Sequence, residues 1–122
     1  MSTVLLVEDN PISRQMFHQL LDRQFEVVEA ESAEEAQSRL QEMTPDLILM
    51  DVQLPGLDGL SFTRQLRADP TTAHIPIVAL SAYALSSDVQ RALDAGCSDY
   101  LIKPIDILTF TDRVARALPS PR

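Results

Sequence analysis

The sequence predicts an α/β protein, in which a five-stranded parallel sheet is covered by helices on both faces. Short apolar runs typical of buried strands alternate with longer segments whose apolar residues recur at helical spacing. This alternation occurs five times between residues 4 and 118. Strands that alternate with helices form parallel sheets with helices on both faces. The pattern leaves no room for a second domain, so residues 1–122 are expected to form a single domain.

The strands are predicted at short runs that are too brief for helices. The runs are residues 4–7, 25–28, 47–50, 75–80 and 100–102. Pro76 lies near the start of the fourth run, where a strand tolerates the missing N–H group.

Each predicted helix begins at a residue that suits its N-terminus. Asn10 precedes Pro11, and a side-chain acceptor followed by proline is typical of a helix start. The expected N-caps, in chain order, are Asn10, Ser32, Asp58, Ser87 and Asp106. Two of them are expected to form capping boxes, Ser32 with Glu35 and Ser87 with Gln90.

Apolar residues at spacings of three and four predict the buried helix faces. The residues expected to be buried are Ile12, Met16 and Leu20, then Ala33, Ala36, Leu40 and Met43, then Leu60, Phe62 and Leu66, and finally Phe110, Val114 and Leu118. Thr44-Pro45 and Asp69-Pro70 end the second and third helices, and Gly96 suits the end of the fourth. Ile105 and Phe110 occupy the positions of a hydrophobic staple, and residues 119–122 form a short tail.

Composition excludes several classes of function. The net charge of −8 disfavours direct binding to nucleic acid or to an anionic membrane. The single cysteine, Cys97, excludes an internal disulfide. No apolar run approaches the length of a membrane span, and no signal peptide is visible, so a cytoplasmic protein without membrane insertion is expected.

Polar residues with complementary chemistry follow four of the five strands. Glu8 and Asp9 follow the first strand, Asp51 the third, Ser81 the fourth and Lys103 the fifth. Ligands of open α/β sheets bind outside the carboxyl ends of the strands, so these side chains are expected to converge on one edge.

This set of side chains predicts a phosphoryl-transfer site. Three neighbouring carboxylates repel one another unless a cation intervenes, and oxygen ligands favour Mg²⁺. Lys103 and Ser81 can each hold a phosphoryl oxygen. An aspartate can act as the nucleophile in phosphoryl transfer, which makes Asp51 a candidate acceptor.

The sequence resembles the receiver domain of two-component response regulators over essentially its whole length. The motifs are V-L-L-V-E-D-N, D-L-I-L-M-D-V-Q-L-P-G-L-D-G, I-P-I-V-A-L-S-A and A-G-C-S-D-Y-L-I-K-P, in this order and at this spacing. The resemblance implies a doubly wound, flavodoxin-like sheet in strand order 2-1-3-4-5. The sequence departs from the family's pattern in two small ways. The acidic pair after the first strand is Glu8-Asp9, and the hydroxyl residue after the fourth strand is Ser81 instead of the commoner threonine.

The resemblance also implies a role for each site residue. Asp51 would be phosphorylated by a partner's phosphohistidine, and Lys103 would bind the phosphate. Glu8, Asp9 and Asp51 would bind Mg²⁺ together with the main-chain carbonyl of Gln53. Ser81 and Tyr100 would be the switch pair, and the Lys103–Pro104 bond would be cis.

The expected function is therefore that of a signalling phosphoacceptor and not of an enzyme. Its partners would be a histidine kinase or a histidine phosphotransfer protein, and a downstream protein effector. Phosphorylation would draw Ser81 inward, Tyr100 would swing in from solvent, and the surface of residues 87–118 would change. Gln53 and Tyr83 each lie two residues after a site residue, so they are expected to border the path of water to the acyl phosphate.

Other classes remain open at this point. The chain could be a receiver domain excised from a hybrid histidine kinase, although Met1 and the complete last helix argue against it. A flavodoxin-like electron carrier would place a Ser/Thr/Gly-rich loop where Glu8 and Asp9 stand, and these would repel a flavin phosphate. An aspartyl-phosphate phosphatase would need a second aspartate in place of Gln53.

Overall fold

Five strands and five helices alternate in the computed structural model, which describes residues 1–118. The strands are β1 (Ser2–Val7), β2 (Phe25–Ala30), β3 (Leu47–Asp51), β4 (Ile77–Ser81) and β5 (Asp99–Ile102). The helices are α1 (Pro11–Leu21), α2 (Ala33–Glu42), α3 (Gly59–Ala68), α4 (Ser86–Ala95) and α5 (Ile107–Ala117). The predicted tail, residues 119–122, lies outside the described residues. No helix within residues 1–118 has the length and apolar character that crossing a membrane requires.

The strands form one parallel sheet in the order β2-β1-β3-β4-β5. The predicted fold class, strand order and number of helices are confirmed. The register places the ends of neighbouring strands side by side, with Asp51 opposite Leu80, the last but one residue of β4, and Ser81 opposite Ile102. The carboxyl ends of β1, β3, β4 and β5 therefore share one edge of the sheet.

Apolar side chains of the sheet alternate between two cores, one on each face. In β1, Leu5 and Val7 belong to one core, while Val4 and Leu6 belong to the other. The first core is packed by α2, α3 and α4, and the second by α1 and α5. Burial on both faces explains why the strands read as continuous apolar runs.

The strand ends differ from the predicted ones because pairing extends beyond the apolar runs. β1 begins at Ser2, and β2 continues through Glu29 and Ala30, which pair with Leu6 and Val7. β5 includes Asp99. β4 covers residues 77–81 instead of 75–80, because its ladder with β3 starts at Ile77 and its last residue pairs with β5.

The predicted buried face of α1 is wrong at Ile12 and Met16, although Leu20 is partly buried against the second core. Ile12 is 79% exposed and Met16 is 41% exposed, while Phe17 and Leu21 are buried. The ring of Phe17 packs against Phe110 of α5, with ring centroids 5.5 Å apart. Because the aromatic ring offers more apolar area to the core than the methionine, it fixes the rotation of the helix.

The predicted cap of α4 is also wrong. The N-cap is Leu85, not Ser87, and the Leu85 N–H group donates to Asp88 Oδ2 at 3.3 Å. Asp88 is the third helical residue, where the positive end of the helix dipole also stabilises a carboxylate. The other four N-caps are confirmed by hydrogen bonds that their side chains accept, at Asn10, Ser32, Asp58 and Asp106. Gly96 directly follows α4 with φ of +115°, as its predicted position requires.

Candidate functional site

Three carboxylates and one ammonium group meet at the carboxyl edge of the sheet. Glu8, Asp9 and Asp51 each offer a carboxylate oxygen, and these oxygens lie within 4.8 Å of one another. The Nζ atom of Lys103 donates to Asp51 Oδ2 at 2.8 Å and to Glu8 Oε1 at 3.2 Å. The four side chains therefore form one cluster, as the order of the strands led us to expect.

The loop after β1 holds the acidic pair. The N–H group of Glu8 donates to the carbonyl of Ala30 at 3.0 Å, which extends the β1–β2 ladder by one bond. Glu8 is buried, and its Oε2 atom accepts from the N–H group of Asn10 at 3.3 Å. Asp9 is exposed. One carboxylate of the pair is thus fixed inside the protein while the other faces solvent.

Asp51 is the last residue of the central strand and is buried. Its Oδ1 atom accepts from the N–H group of Gln53 at 2.8 Å. The start of α3 packs directly against this strand end, since a Cβ atom added to Gly59 would lie 2.6 Å from the Asp51 carbonyl oxygen. Only glycine permits this approach of two backbones. The motif residue Gly59 therefore sets the position of the loop that follows Asp51.

The cluster carries more negative than positive charge. Burial is the largest of the effects that raise the pKa of Glu8 to about 7. The negative charge of Asp51 and its hydrogen bond with Glu8 add to this shift, and the positive charge of Lys103 opposes it. Burial alone would lower the pKa of Lys103, but its hydrogen bond to Asp51 and the charges of Asp51 and Glu8 outweigh it and raise that pKa. One ammonium group does not balance three carboxylates.

The donor set fits a hard divalent cation. Three carboxylates with oxygen atoms this close together provide ligands of the kind that Mg²⁺ prefers, and a divalent charge would relieve their repulsion. Glu8, Asp9 and Asp51 would hold the ion, and the carbonyl of Gln53 remains a predicted fourth ligand. The ion would supply positive charge to phosphoryl oxygens at the site.

The two residues expected to form the switch pair, Ser81 and Tyr100, are joined through Tyr83. The buried Ser81 hydroxyl oxygen accepts from the N–H group of Tyr83 at 3.0 Å. The hydroxyl of Tyr100 donates to the carbonyl of Tyr83 at 2.7 Å, and Tyr100 is only 8% exposed. We expected Tyr100 to start from solvent, and this is wrong for the described structure. Its ring is already buried, because its hydroxyl finds a main-chain acceptor there.

Gln53 and Tyr83 lie beside the cluster and contact each other. Gln53 Nε2 donates to the Tyr83 hydroxyl oxygen at 2.8 Å. Both side chains are exposed, and they connect the β3–α3 loop to the β4–α4 loop. The sequence placed both residues near the site but did not indicate that they are paired.

The sequence reading missed Arg14. Its guanidinium donates to the carbonyl of Glu8 at 2.9 Å. Arg14 lies four residues after the helix cap Asn10, so it is one turn along α1 and faces back toward the loop that holds the acidic pair. The four-residue spacing between Asn10 and Arg14 is the sequence feature that could have identified Arg14 as a neighbour of the acidic pair. The Lys103–Pro104 bond is cis, as the resemblance implied.

The fold is that of receiver domains in two-component signalling. The family model of the response regulator receiver domain matches residues 4–115, and the chain belongs to this family. Receiver domains of this family are signalling phosphoacceptors and typically bind Mg²⁺.

Individual relatives cover nearly the whole chain. A polar-differentiation response regulator, DivK of Brucella ovis, is 37% identical over 113 residues, which is 92% of each chain. The receiver domain of the sensor histidine kinase PA1611 from Pseudomonas aeruginosa is 36% identical, covers 98% of both chains and has a TM-score of 0.87. That structure has a magnesium ion coordinated in its active site cleft.

A further relative comes from a complex. The co-crystal structure of the Saccharomyces cerevisiae histidine phosphotransfer protein Ypd1 with the receiver domain of its response regulator Ssk1 contains a chain with a TM-score of 0.83 and 31% identity. The match covers 93% of this chain and 86% of that one.

Proposed function

We propose that the chain is a single receiver domain that accepts a phosphoryl group on Asp51 from a phosphohistidine of a histidine kinase or phosphotransfer protein. The observation that carries the proposal is the contact of Lys103 Nζ with Asp51 Oδ2, at 2.8 Å, inside a cluster that Glu8 and Asp9 complete. A cytoplasmic location and a downstream protein effector belong to the same proposal.

Asp51 is placed to act as the nucleophile. A carboxylate oxygen of Asp51 attacks the phosphorus, the P–N bond to the histidine breaks, and its electron pair returns to the imidazole nitrogen, which then takes up a proton. Lys103 lies 2.8 Å from the acceptor carboxylate and can follow a phosphoryl oxygen with one of its three N–H donors. The Ser81 hydroxyl, at the end of the neighbouring strand, provides a further donor.

The same geometry supports an output through residues 87–118. Tyr100 lies in the buried position, tied to the main chain of Tyr83, whose N–H group contacts Ser81. We propose that the phosphoryl group accepts a hydrogen bond from the Ser81 hydroxyl, whose oxygen still accepts from the Tyr83 N–H group, and so stabilises this inward state relative to an outward one. Differential stabilisation of a pre-existing state is sufficient. A coupling of about 1–3 kcal/mol would change the affinity of a partner roughly 5–150-fold.

Exposed apolar side chains support this surface as a partner site. Ile102 of β5 and Ile107 and Leu108 of α5 are exposed, and they lie near the strand end that carries Lys103. Binding a protein effector there would remove their apolar area from water.

The test of the acceptor compares Asp51→Asn with Asp22→Asn. Both changes convert a carboxylate to an amide, but Asp22 is exposed at the end of α1, which is the opposite edge of the sheet. Each protein is incubated with Mg²⁺ and either acetyl phosphate or phosphoramidate, whose P–N bond resembles that of phosphohistidine. Intact mass should show a phosphoryl adduct on the wild type and Asp22→Asn, and none on Asp51→Asn.

An equal adduct on Asp51→Asn would show that another residue is the acceptor. A wild type that takes no phosphoryl group from either donor would contradict the proposal as a whole.

The output is tested by NMR with beryllofluoride, a phosphoryl mimic. Amides of residues 87–118 should shift in the wild type and not in Ser81→Ala, while Ser81→Ala still accepts phosphate on Asp51.

A second candidate is that the chain is the receiver domain of a hybrid histidine kinase. The 36% identity to the receiver domain of a sensor kinase favours it about as much as the 37% identity to DivK favours a stand-alone regulator. The mass of the protein in its source cells separates the two. A stand-alone regulator would migrate near 13.6 kDa, and a hybrid kinase several times higher.

A further inference from the structure

Arg14 holds the backbone of the acidic pair. Its Nη1 atom donates to the carbonyl of Glu8 at 2.9 Å and lies 3.5 Å from the carbonyl of Asp9. Its side chain is only 14% exposed, although it lies in the second turn of a surface helix. Because an arginine loses both hydration and rotamer freedom in such a position, its contacts must compensate for that cost.

The other side of the guanidinium is held by β2 and the residue after it. Nε donates to Glu29 Oε1 at 3.2 Å, and Nη2 donates to Glu31 Oε1 at 3.4 Å. Glu29 also contacts His18 Nδ1 through its second oxygen, at 2.5 Å. Glu29 is a paired residue of β2, opposite Leu6. The guanidinium is therefore fixed to the sheet, and it transmits that rigidity to the loop after β1.

The two carbonyl contacts determine how Asp9 is oriented. The carbonyl of Glu8 belongs to the peptide plane before the Asp9 Cα atom, and the carbonyl of Asp9 belongs to the plane after it. Two dihedral angles relate these planes, so fixing both planes fixes the direction of the Asp9 Cβ atom. Asp9 is exposed, and solvent alone would not orient its carboxylate.

We infer that Arg14 is a positioning residue for the cation site: it touches neither the ion nor the phosphoryl group, but orients Glu8 and Asp9 so that both carboxylates face the ion. This inference rests on the proposed function. It assigns a task to the contacts between Arg14, β2 and the loop that the transfer chemistry itself does not use.

Charge and geometry predict opposite effects for the loss of Arg14. The guanidinium is a cation near the site, and Arg14→Ala would remove the cation that contacts the carboxylates of Glu29 and Glu31, leaving Glu29 with His18. Coulomb's law alone then predicts tighter Mg²⁺ binding. Loss of orientation predicts weaker binding, and residues that orient metal ligands are worth roughly 10–100-fold in metal affinity.

The experiment titrates Mg²⁺ into four variants and follows the amides of residues 8–10 and 51–53 by NMR. Arg14→Ala should raise the dissociation constant about tenfold, at the low end of the range for such residues. Arg14→Lys keeps the charge but lacks the planar fork, so it should restore little of the affinity. Glu29→Gln weakens one anchor of the guanidinium and should raise the constant by a smaller factor. Arg39→Ala, which removes an arginine from an exposed ion pair on α2, should leave it unchanged.

A kinetic readout separates orientation of the ligands from general damage. With acetyl phosphate, the Mg²⁺ concentration for half-maximal phosphorylation of Arg14→Ala should rise about tenfold, as the affinity does. The rate at saturating Mg²⁺ should approach that of the wild type. A destabilised fold would instead lower the thermal midpoint without this separation.

Unchanged or tighter Mg²⁺ binding in Arg14→Ala would overturn the inference, as would full rescue by Arg14→Lys. If Arg14→Ala does not fold, Glu29→Gln decides, because an unaltered affinity there would contradict the anchoring by β2. These results are distinct from a failure of the proposed function, in which the wild type itself would accept no phosphoryl group.

Discussion

Replacing Lys103 by methionine tests the charge balance of the cluster. Methionine retains much of the aliphatic stem but carries no charge, so the change removes the ammonium that contacts Asp51 at 2.8 Å and Glu8 at 3.2 Å. Both carboxylates are buried, and they would then face each other and Asp9 without a cation. We expect Lys103→Met to destabilise the fold in the absence of divalent ions.

The magnitude follows from the burial of the partners. Removing one member of a buried ion pair costs about 3–5 kcal/mol. Lys103 is 28% exposed, which weakens the contact, and Glu8 can become protonated because its pKa is already raised to about 7. Both effects reduce the expected loss to about 2 kcal/mol. For a chain of this length this corresponds to a fall in Tm of roughly 6–10 °C.

The assay is thermal unfolding, followed by circular dichroism, with EDTA and with saturating Mg²⁺. A divalent cation supplies the missing positive charge to the same carboxylates, so Mg²⁺ should raise the Tm of Lys103→Met more than that of the wild type. Arg39→Ala is the matched control, since it removes a cation from the exposed pair with Glu35. Exposed pairs contribute little, so this variant should lose less than about 0.5 kcal/mol, with no extra response to Mg²⁺.

Two results would refute this reasoning. If Lys103→Met were as stable as the wild type in EDTA, the ammonium would not be balancing the carboxylates. If it were destabilised but gained no more from Mg²⁺ than Arg39→Ala, its loss would arise from packing and not from charge.

Three further predictions concern other parts of the structure. Gly59→Ala should cost about 1–3 kcal/mol in the free energy of unfolding and slow phosphorylation, because its Cβ atom would meet the Asp51 carbonyl. Gly56→Ala is the control: its backbone is strained by a φ of +70°, but it faces the Glu34 side chain, so the phosphorylation rate should not change. Tyr83→Ala should shorten the half-life of the phosphorylated protein. Tyr83→Phe then shows whether the ring or its hydrogen bond with Gln53 shields the acyl phosphate. Equal half-lives in the wild type and both variants would contradict shielding. Asp58→Ala should cost about 1 kcal/mol at pH 7 as a lost helix cap. The hydrogen bond from the Ser61 N–H group lowers the pKa of Asp58, so this difference in unfolding free energy should be present above pH 4 and vanish as the pH falls through the lowered pKa; a difference that persists at pH 2 would rule out the carboxylate as its source.

The sheet could be predicted from the sequence because each strand is buried on both faces. Four of the five N-caps were also predictable, since a capping residue acts on its own neighbours. The buried face of α1 was not, because Ile12 and Met16 have the same spacing as Phe17 and Leu21. The contact of Phe17 with a helix almost a hundred residues away decides between the two faces, and no local pattern contains it.

The residues that make up the candidate site were predictable once the parallel sheet was. Residues at the carboxyl ends of parallel strands share one edge, so the order of the strands places Glu8, Asp51 and Lys103 together. The conformations of the site residues were not predictable. Tyr100 is buried because a carbonyl of the β4–α4 loop accepts its hydroxyl, and the course of a loop depends on tertiary contacts that a one-dimensional pattern does not specify.

Lys103 is the only lysine of the chain, so the one side-chain amine lies between two carboxylates at the site. Its raised pKa keeps it protonated, and a protonated amine does not attack an acylating reagent. In a protein that begins at Met1, the α-amino group of this residue, which is 86% exposed, is the other amine. Mild acylation should therefore attach a dye or a support at the N-terminus and spare the site. The ratio of the two modified products would then report how firmly the carboxylates hold the ammonium under any given condition.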